Sequence, residues 1–265
     1  MRQEGRIGPT AYRAVGNGPN VVFVHGNGST RETWDDVTHY LSSRFRCISY
    51  DLRGHGQSYL SSEALTLDLL RNDLEALRHH LDLDRFTLVG HSLGSFVAVA
   101  YSLEFPHHVE RLCLLATPAA RDESEREASD TLLAKLRSDG LKKTIPTLTN
   151  SWYTDAFIAA HPGTLQRRLE QVMSIDDAVF IDAYALYSHT SIDEWLEYLE
   201  IPTLVMTGEY ARSSGAEVGR FIADRIPDSR LITFRGMKNG ILTEIPHRVA
   251  CEIAAFHQSG CVASE

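Results

Sequence analysis

Short, largely apolar runs alternate along most of the chain with stretches of helical spacing. Val21-Val22-Phe23-Val24, Phe45 to Tyr50, Phe86 to Val89, Val109 to Ala116 and Pro202 to Gly208 read as strands buried on both faces. That is the pattern of a parallel sheet covered by helices. Arg6 to Val15 reads as one short, partly alternating strand, closed by a turn at Gly16-Asn17-Gly18-Pro19. Helices are predicted over Thr33–Ser42, Leu65–Leu81 and Ala216–Arg225, with a further strand at Arg230–Phe234. A final helix, Pro246 to His257, places Val249, Ile253 and Phe256 on one face, and the tail from Ser259 to Glu265 is expected to fray. Strands alternating with helices specify a doubly wound, mostly parallel α/β fold.

The rhythm breaks between residues 121 and 200, where no strand pattern occurs and helical segments (128–137, 165–172, 175–187) fill the interval. So long an interval is not a bare loop in a compact fold. It reads as a helical insertion over the carboxyl edge of the sheet, where open α/β folds bind ligands. The expected organisation is a core of residues 1–120 and 201–265 with a helical cap of residues 121–200.

One stretch concentrates the chemistry. Phe86, Leu88 and Val89 lead into Gly90-His91-Ser92-Leu93-Gly94, and Ser95 to Tyr101 continues as a helix-compatible apolar run. A strand, a sharp turn and a helix with serine at the apex is the context of a nucleophile elbow. The turn needs glycine where a β-carbon would meet backbone, and it holds a hydroxyl at a helix N-terminus, where developing negative charge is favoured.

Composition narrows the partners. In 265 residues the chain is 43% apolar and 23% charged, ordinary for a soluble globular protein, and its net charge of −9 argues against nucleic acid or an anionic membrane surface. There is no apolar run of membrane-spanning length and no apolar signal region at the N-terminus, so a cytoplasmic protein is expected. The four cysteines, Cys47, Cys113, Cys251 and Cys261, form no Cys-x-x-Cys pair and read as reduced thiols. Twelve histidines show no His-Glu-x-x-His spacing, and no phosphate-cradling glycine motif occurs, so neither a metal nor a cofactor is expected. The implied partner is a small-molecule substrate or ligand, bound by a monomer or homodimer.

His25-Gly26-Asn27-Gly28, then Asp51-Leu52-Arg53-Gly54-His55-Gly56-Gln57-Ser58, then Gly90-His91-Ser92-Leu93-Gly94 resembles the α/β-hydrolase superfamily. Within it the chain looks most like the branch of 3-oxoadipate enol-lactonases and small carboxylesterases. The resemblance covers nearly the whole chain, and Trp152 to Phe157 and Ala160-His161-Pro162 echo the family's cap. It implies a Ser nucleophile (Ser92), a His base, an Asp or Glu orienting that His, and an oxyanion hole from the backbone N–H groups of Asn27 and Leu93. The family pattern puts the acid three residues after Gly208, where this chain has Ala211. It puts the base in the Gly-x-x-His segment before the last helix, where this chain has Asn239. Two of three triad positions are therefore replaced.

Glu209 and Asp122 are the other candidates for the acid, and Lys238, His25, His91, His55, His161, His189 and His247 the other candidates for the base; none of the latter reads as a convincing replacement. Trp152, Tyr153, Phe157, Phe180 and Tyr184 are expected to wall the pocket, with Arg53, Arg121 or His189 meeting a carboxylate. Three readings stay open: a serine hydrolase for a small ester or lactone, inactive or strongly impaired as written; a pseudo-hydrolase that binds a small ligand; and a lyase or cyclase using the pocket without an acyl-enzyme.

Overall fold

A computed structural model describes residues 2–60 and 64–259. Eight strands form one sheet: β1 (Arg2–Ile7), β2 (Thr10–Val15), β3 (Asn20–Val24), β4 (Arg46–Tyr50), β5 (Phe86–His91), β6 (Val109–Leu115), β7 (Thr203–Gly208) and β8 (Ser229–Phe234). Their spatial order is β1-β2-β4-β3-β5-β6-β7-β8. The pairs β1/β2 and β2/β4 are antiparallel and the rest parallel. From β3 the chain adds β4 on one side and then β5 on the other, so the order of strand addition switches between β3 and β5 and the loops leaving these two parallel strands flank a crevice at their carboxyl ends.

Helices are α1 (Asp35–Leu41), α2 (Leu67–His80), α3 (Leu93–Glu104), α4 (Glu123–Asp139), α5 (Leu141–Thr144), α6 (Asp155–Ala160), α7 (Pro162–Met173), α8 (Asp177–His189), α9 (Ala216–Ala223), α10 (Ile241–Glu244) and α11 (Pro246–Gln258). The apolar strand runs are explained by cover on both faces. On β3, Val22 and Val24 join one core with residues of α2, α3 and α9, while Val21 and Phe23 join a second with α1 and α11. Period-two alternation sends neighbours to opposite faces, and here both faces are dry.

Two element expectations change. Residues 6–15 are not one strand: Gly8, at φ +51°, and Pro9 turn the chain between β1 and β2, so an alternating pattern spans a hairpin. The first helix after β6 begins at Glu123 rather than 128. Asp122 and Glu125 form a capping box there, so the charged run is a helix start rather than a solvated lead-in. The helices α4 to α8 hold a core of their own, built on Leu136, Leu141, Val172, Ile175 and Phe180. Cys47 and Cys113 are buried and Cys251 is exposed, all unpaired; Cys261 and the tail from residue 260 lie outside the described residues. Among the described residues no helix is long and apolar enough to cross a membrane.

Candidate active site

Ser92 stands between β5 and α3 with φ +53° and ψ −120°, a conformation that costs a residue with a β-carbon on the order of 1–3 kcal/mol. Backbone packing enforces it. A β-carbon on Gly90 would lie 2.5 Å from the Gly94 carbonyl oxygen, and one on Gly94 would overlap the Val24 oxygen and lie 2.6 Å from that of His25. The two glycines therefore let main chain press on main chain. The Ser92 N–H donates to Leu115 O (3.0 Å), and Ser95 Oγ donates back to Gly90 O (3.0 Å), tying the turn to β6 and to its own strand.

The loop after β3 faces this apex: a β-carbon on Gly26 would be 3.0 Å from Ser92 Cβ. Two histidines brace it. His25 Nε2 accepts from the Leu52 N–H (2.9 Å), so Nδ1 carries the proton and donates to Gly26 O (2.8 Å). His55 Nε2 accepts from the Gly28 N–H (3.3 Å) and Nδ1 donates to Arg53 O (3.2 Å). Burial pushes both pKa values down to about 3, so both rings stay neutral. Among the described residues the N–H groups of Asn27 and Leu93 donate to no protein acceptor. His91, beside the apex, is pushed down to about 4 by burial, by the positive field of Arg168 second, and its Nε2 has no partner.

The loops that carry positions 211 and 239 meet, although only Asn239 of the two lines the same cavity as Ser92. The Tyr210 N–H donates to Met237 O (2.9 Å), and a β-carbon on Gly208 would lie 2.7 Å from that same oxygen. Ala211 is buried and has no functional group. Ser214 Oγ, also buried, donates to Asn239 Oδ1 (3.1 Å). With its oxygen so engaged, the Asn239 amide has hydrogens left to offer and no basic nitrogen.

Ser92, Asn27 and Asn239 line a cavity of about 620 Å³ roofed by the helices between β6 and β7. Trp152, Tyr153, Phe180 and Tyr184 line it as expected. Phe157 and His189 do not, which corrects their assignment to the pocket. Phe157 turns away to pack on Tyr153 (5.5 Å) and His161 (4.5 Å), because its position on α6 faces α7 and not the sheet. His189 ends α8 on the exposed side, beside Asp130 (3.3 Å).

The arginines are redistributed too. Arg53 is closed in a two-point ion pair with Asp73 (3.0 and 2.5 Å). Arg121 reaches the cavity wall but donates to the carbonyls of Tyr187, Ser188 and Thr190, capping the negative end of α8. Arg167 and Arg168 of α7 and Arg212 after β7 also line the cavity, and no sequence motif marked any of them. The other candidate bases are structurally committed: Lys238 pairs with Asp155 (2.9 Å) and Glu209 accepts from the Gly236 N–H (2.8 Å). Asp122 caps α4, and His247 lies against Tyr40 on the far side of α11.

A doubly wound sheet with a strained serine at its crevice and a helical roof defines a hydrolase-type fold. The chain belongs to the alpha/beta hydrolase fold family, which it matches over residues 19–237. An uncharacterized protein of Mycobacterium tuberculosis is 40% identical over 106 residues, 40% of this chain and 31% of that protein, so this chain's match spans about a third of that relative. The 3-oxoadipate enol-lactonase 2 of Acinetobacter baylyi is 24% identical over 80% of this chain and 79% of its own length. The enol-lactonase of Burkholderia xenovorans superposes with a TM-score of 0.88, at 21% identity, covering 97% of this chain and all of that one. Esterases and lactonases are thus among the proteins the chain resembles within this family.

Proposed function

We propose that this is a hydrolase-fold protein for a small ester or lactone, enol-lactone-like in size, whose proton-transfer apparatus has been removed. Ser92 is the nucleophile residue, the N–H groups of Asn27 and Leu93 form the oxyanion hole, and residues 121–200 act as the cap that selects the ligand. The carrying observation is the Ser214–Asn239 hydrogen bond at the base position beside a buried Ala211.

A serine hydroxyl attacks poorly unless a base takes its proton as the bond forms. An amide locked through its oxygen cannot do so, and Ala211 could not orient an imidazole if one were present. In a Ser-His-Asp machine, losing the base costs on the order of a million-fold in turnover, roughly 8 kcal/mol. Oriented N–H donors alone retain about 10³-fold over water. The chain as written should therefore bind its ligand and polarise a carbonyl while turning over slowly or not at all. A second reading, a non-catalytic ligand-binding protein, is supported by the same locked amide; a lyase or cyclase step would need Ser92-independent turnover.

The test is restoration. Ala211→Asp combined with Asn239→His should raise the rate of small-ester hydrolysis by about 10⁴-fold or more and make Ser92 react rapidly with a fluorophosphonate. A folded double variant with no gain in either measurement would refute the hydrolase reading.

A further inference from the structure

Asparagine is followed by glycine at Asn17-Gly18, Asn27-Gly28 and Asn239-Gly240. Such a pair can hydrolyse its own amide, because the glycine nitrogen can attack Cγ of the asparagine and close a five-membered imide. The reacting atoms are already tethered, so the step needs no encounter. Glycine permits it because no β-carbon hinders the backbone rotation that brings the nitrogen round. The fold treats the three pairs differently.

At Asn27-Gly28 the participants are engaged. The Gly28 N–H donates to His55 Nε2 (3.3 Å), and the Asn27 amide donates to Phe180 O (3.2 Å). At Asn239-Gly240 they are free. Asn239 lies in a bend between β8 and α10, outside any helix or strand. Gly240 caps α10, and among the described residues its N–H donates to no acceptor. The Asn239 NH₂, the group that must leave, also donates to none of them. The hydrogen bond that does form favours attack. Ser214 Oγ donates to Asn239 Oδ1 (3.1 Å) and draws charge away from Cγ, as an oxyanion donor does in acyl transfer. Asn239 lines the cavity, which gives water a path to the imide. Packing holds glycine at 240, since a β-carbon there would overlap the Tyr153 ring.

We infer that Asn239 is a self-modifying position, whose amide is hydrolysed through a cyclic imide to leave a carboxylate in the wall of the Ser92 cavity. The Gly240 nitrogen loses its proton to solvent and bonds to Cγ; the Cγ–Nδ2 bond breaks and ammonia leaves. Water then opens the imide at Cγ, giving aspartate, or at the main-chain carbonyl, giving isoaspartate. Either route takes up one water and releases one ammonium ion. Aspartate fits where the amide stood: one oxygen keeps the Ser214 hydroxyl, and the other replaces an NH₂ with no acceptor to lose. A neutral donor thereby becomes an anionic acceptor, at the position where the family pattern has its base.

The protein as purified, held in mildly alkaline buffer at physiological temperature, should gain the mass of an amide-to-acid exchange at Asn239. Digestion and mass spectrometry read all three pairs in one sample. Asn239 should convert at least about tenfold faster than Asn27, whose attacking and leaving groups must each first give up a hydrogen bond. Asn17, exposed ahead of β3 with no donor on its oxygen, is the internal reference, and Asn239 should match or outpace it. Ser214→Ala should slow conversion at Asn239 by about fivefold and leave Asn17 unchanged. Asn239→Gln, whose ring would be one atom larger, should stay an amide. An Asn239 that remains an amide while Asn17 converts, an Asn27 that converts as fast as Asn239, or a Ser214→Ala protein with an unaltered rate would each overturn the inference. Should Ser214→Ala fail to fold, the comparison of the three pairs in the parent chain decides. The mass gain is read without any substrate, so failure of the hydrolase reading would leave this test unaffected.

Discussion

Replacing Asp51 by Asn should cost about 3 kcal/mol of stability, although the two side chains have the same shape. Asp51 is fully buried and accepts from the Arg31 N–H (2.7 Å), from Arg31 Nη1 (2.6 Å) and from the Gln57 N–H (2.9 Å). An amide can satisfy the first with its oxygen, but its NH₂ would then confront two donors. It would also leave the guanidinium of Arg31, 2% exposed, with only Glu32 at 3.6 Å for charge. Losing one partner of a buried pair typically costs 3–5 kcal/mol, and Glu32 brings the figure to the lower end. At roughly 2–4 °C per kcal/mol for a chain of this size, Tm should fall by about 6–12 °C. Burial raises the pKa of Asp51 despite the opposing hydrogen bonds from the Arg31 and Gln57 N–H groups and the charge of Arg31, so these do not fully offset its desolvation. Arg31→Met together with Asp51→Asn should therefore cost less than the sum of the single changes. Urea unfolding of the three variants measures both quantities. An Asp51→Asn protein within 1 kcal/mol of the parent, or strictly additive costs, would refute the reasoning.

Two further outcomes follow from the same loops. His25, His55 and His91 are held at about 3, 3 and 4 in the fold against 6.5 when exposed, so the unfolded chain takes up protons first. Their contribution is complete above pH 6.5 and declines as pH falls toward 4, by roughly 1.4 kcal/mol per unit for each ring; a Tm unchanged between pH 7 and 4.5 would contradict it. Gly94→Ala would drive a methyl into the carbonyls of Val24 and His25, and should yield insoluble protein or a melting point lowered by 10 °C or more; a melt within 2 °C of the parent would disprove the close approach.

Most of the sheet could be read from the chain because β3, β5, β6 and β7 are dry on both faces, and continuous apolar runs have few other uses. The hairpin of β1 and β2 escaped because its alternation continues through Gly8-Pro9 with little change of pattern. Ser92 could be singled out because it stands at a strand end between two glycines, whereas Asn27, Ala211 and Asn239 were assigned only through the family resemblance, counted from the glycines beside them. Phe157 and His189 were misplaced, and Arg168 was missed, for one physical reason. Residues on roof helices reach the cavity only through tertiary rotation of those helices, and an aromatic or an arginine there has the same local pattern whether it faces inward or outward.

The conformation of Ser92 is set by the contacts of Gly90 and Gly94 with the backbones of α3 and the β3 loop, whereas positions 211 and 239 hang from β7 and β8. The glycine contacts that hold the apex are thus separate from positions 211 and 239, although the His91 ring beside Ser92 also hydrogen-bonds the Asn239 backbone. Chemistry can be deleted from the far edge of the sheet without the middle relaxing, and the tension at Ser92 persists as a standing deformation. A chain with no further use for a side chain there could discharge it by a single change to glycine. Ser92 instead presents a hydroxyl to the pocket at a place where the backbone alone would favour glycine.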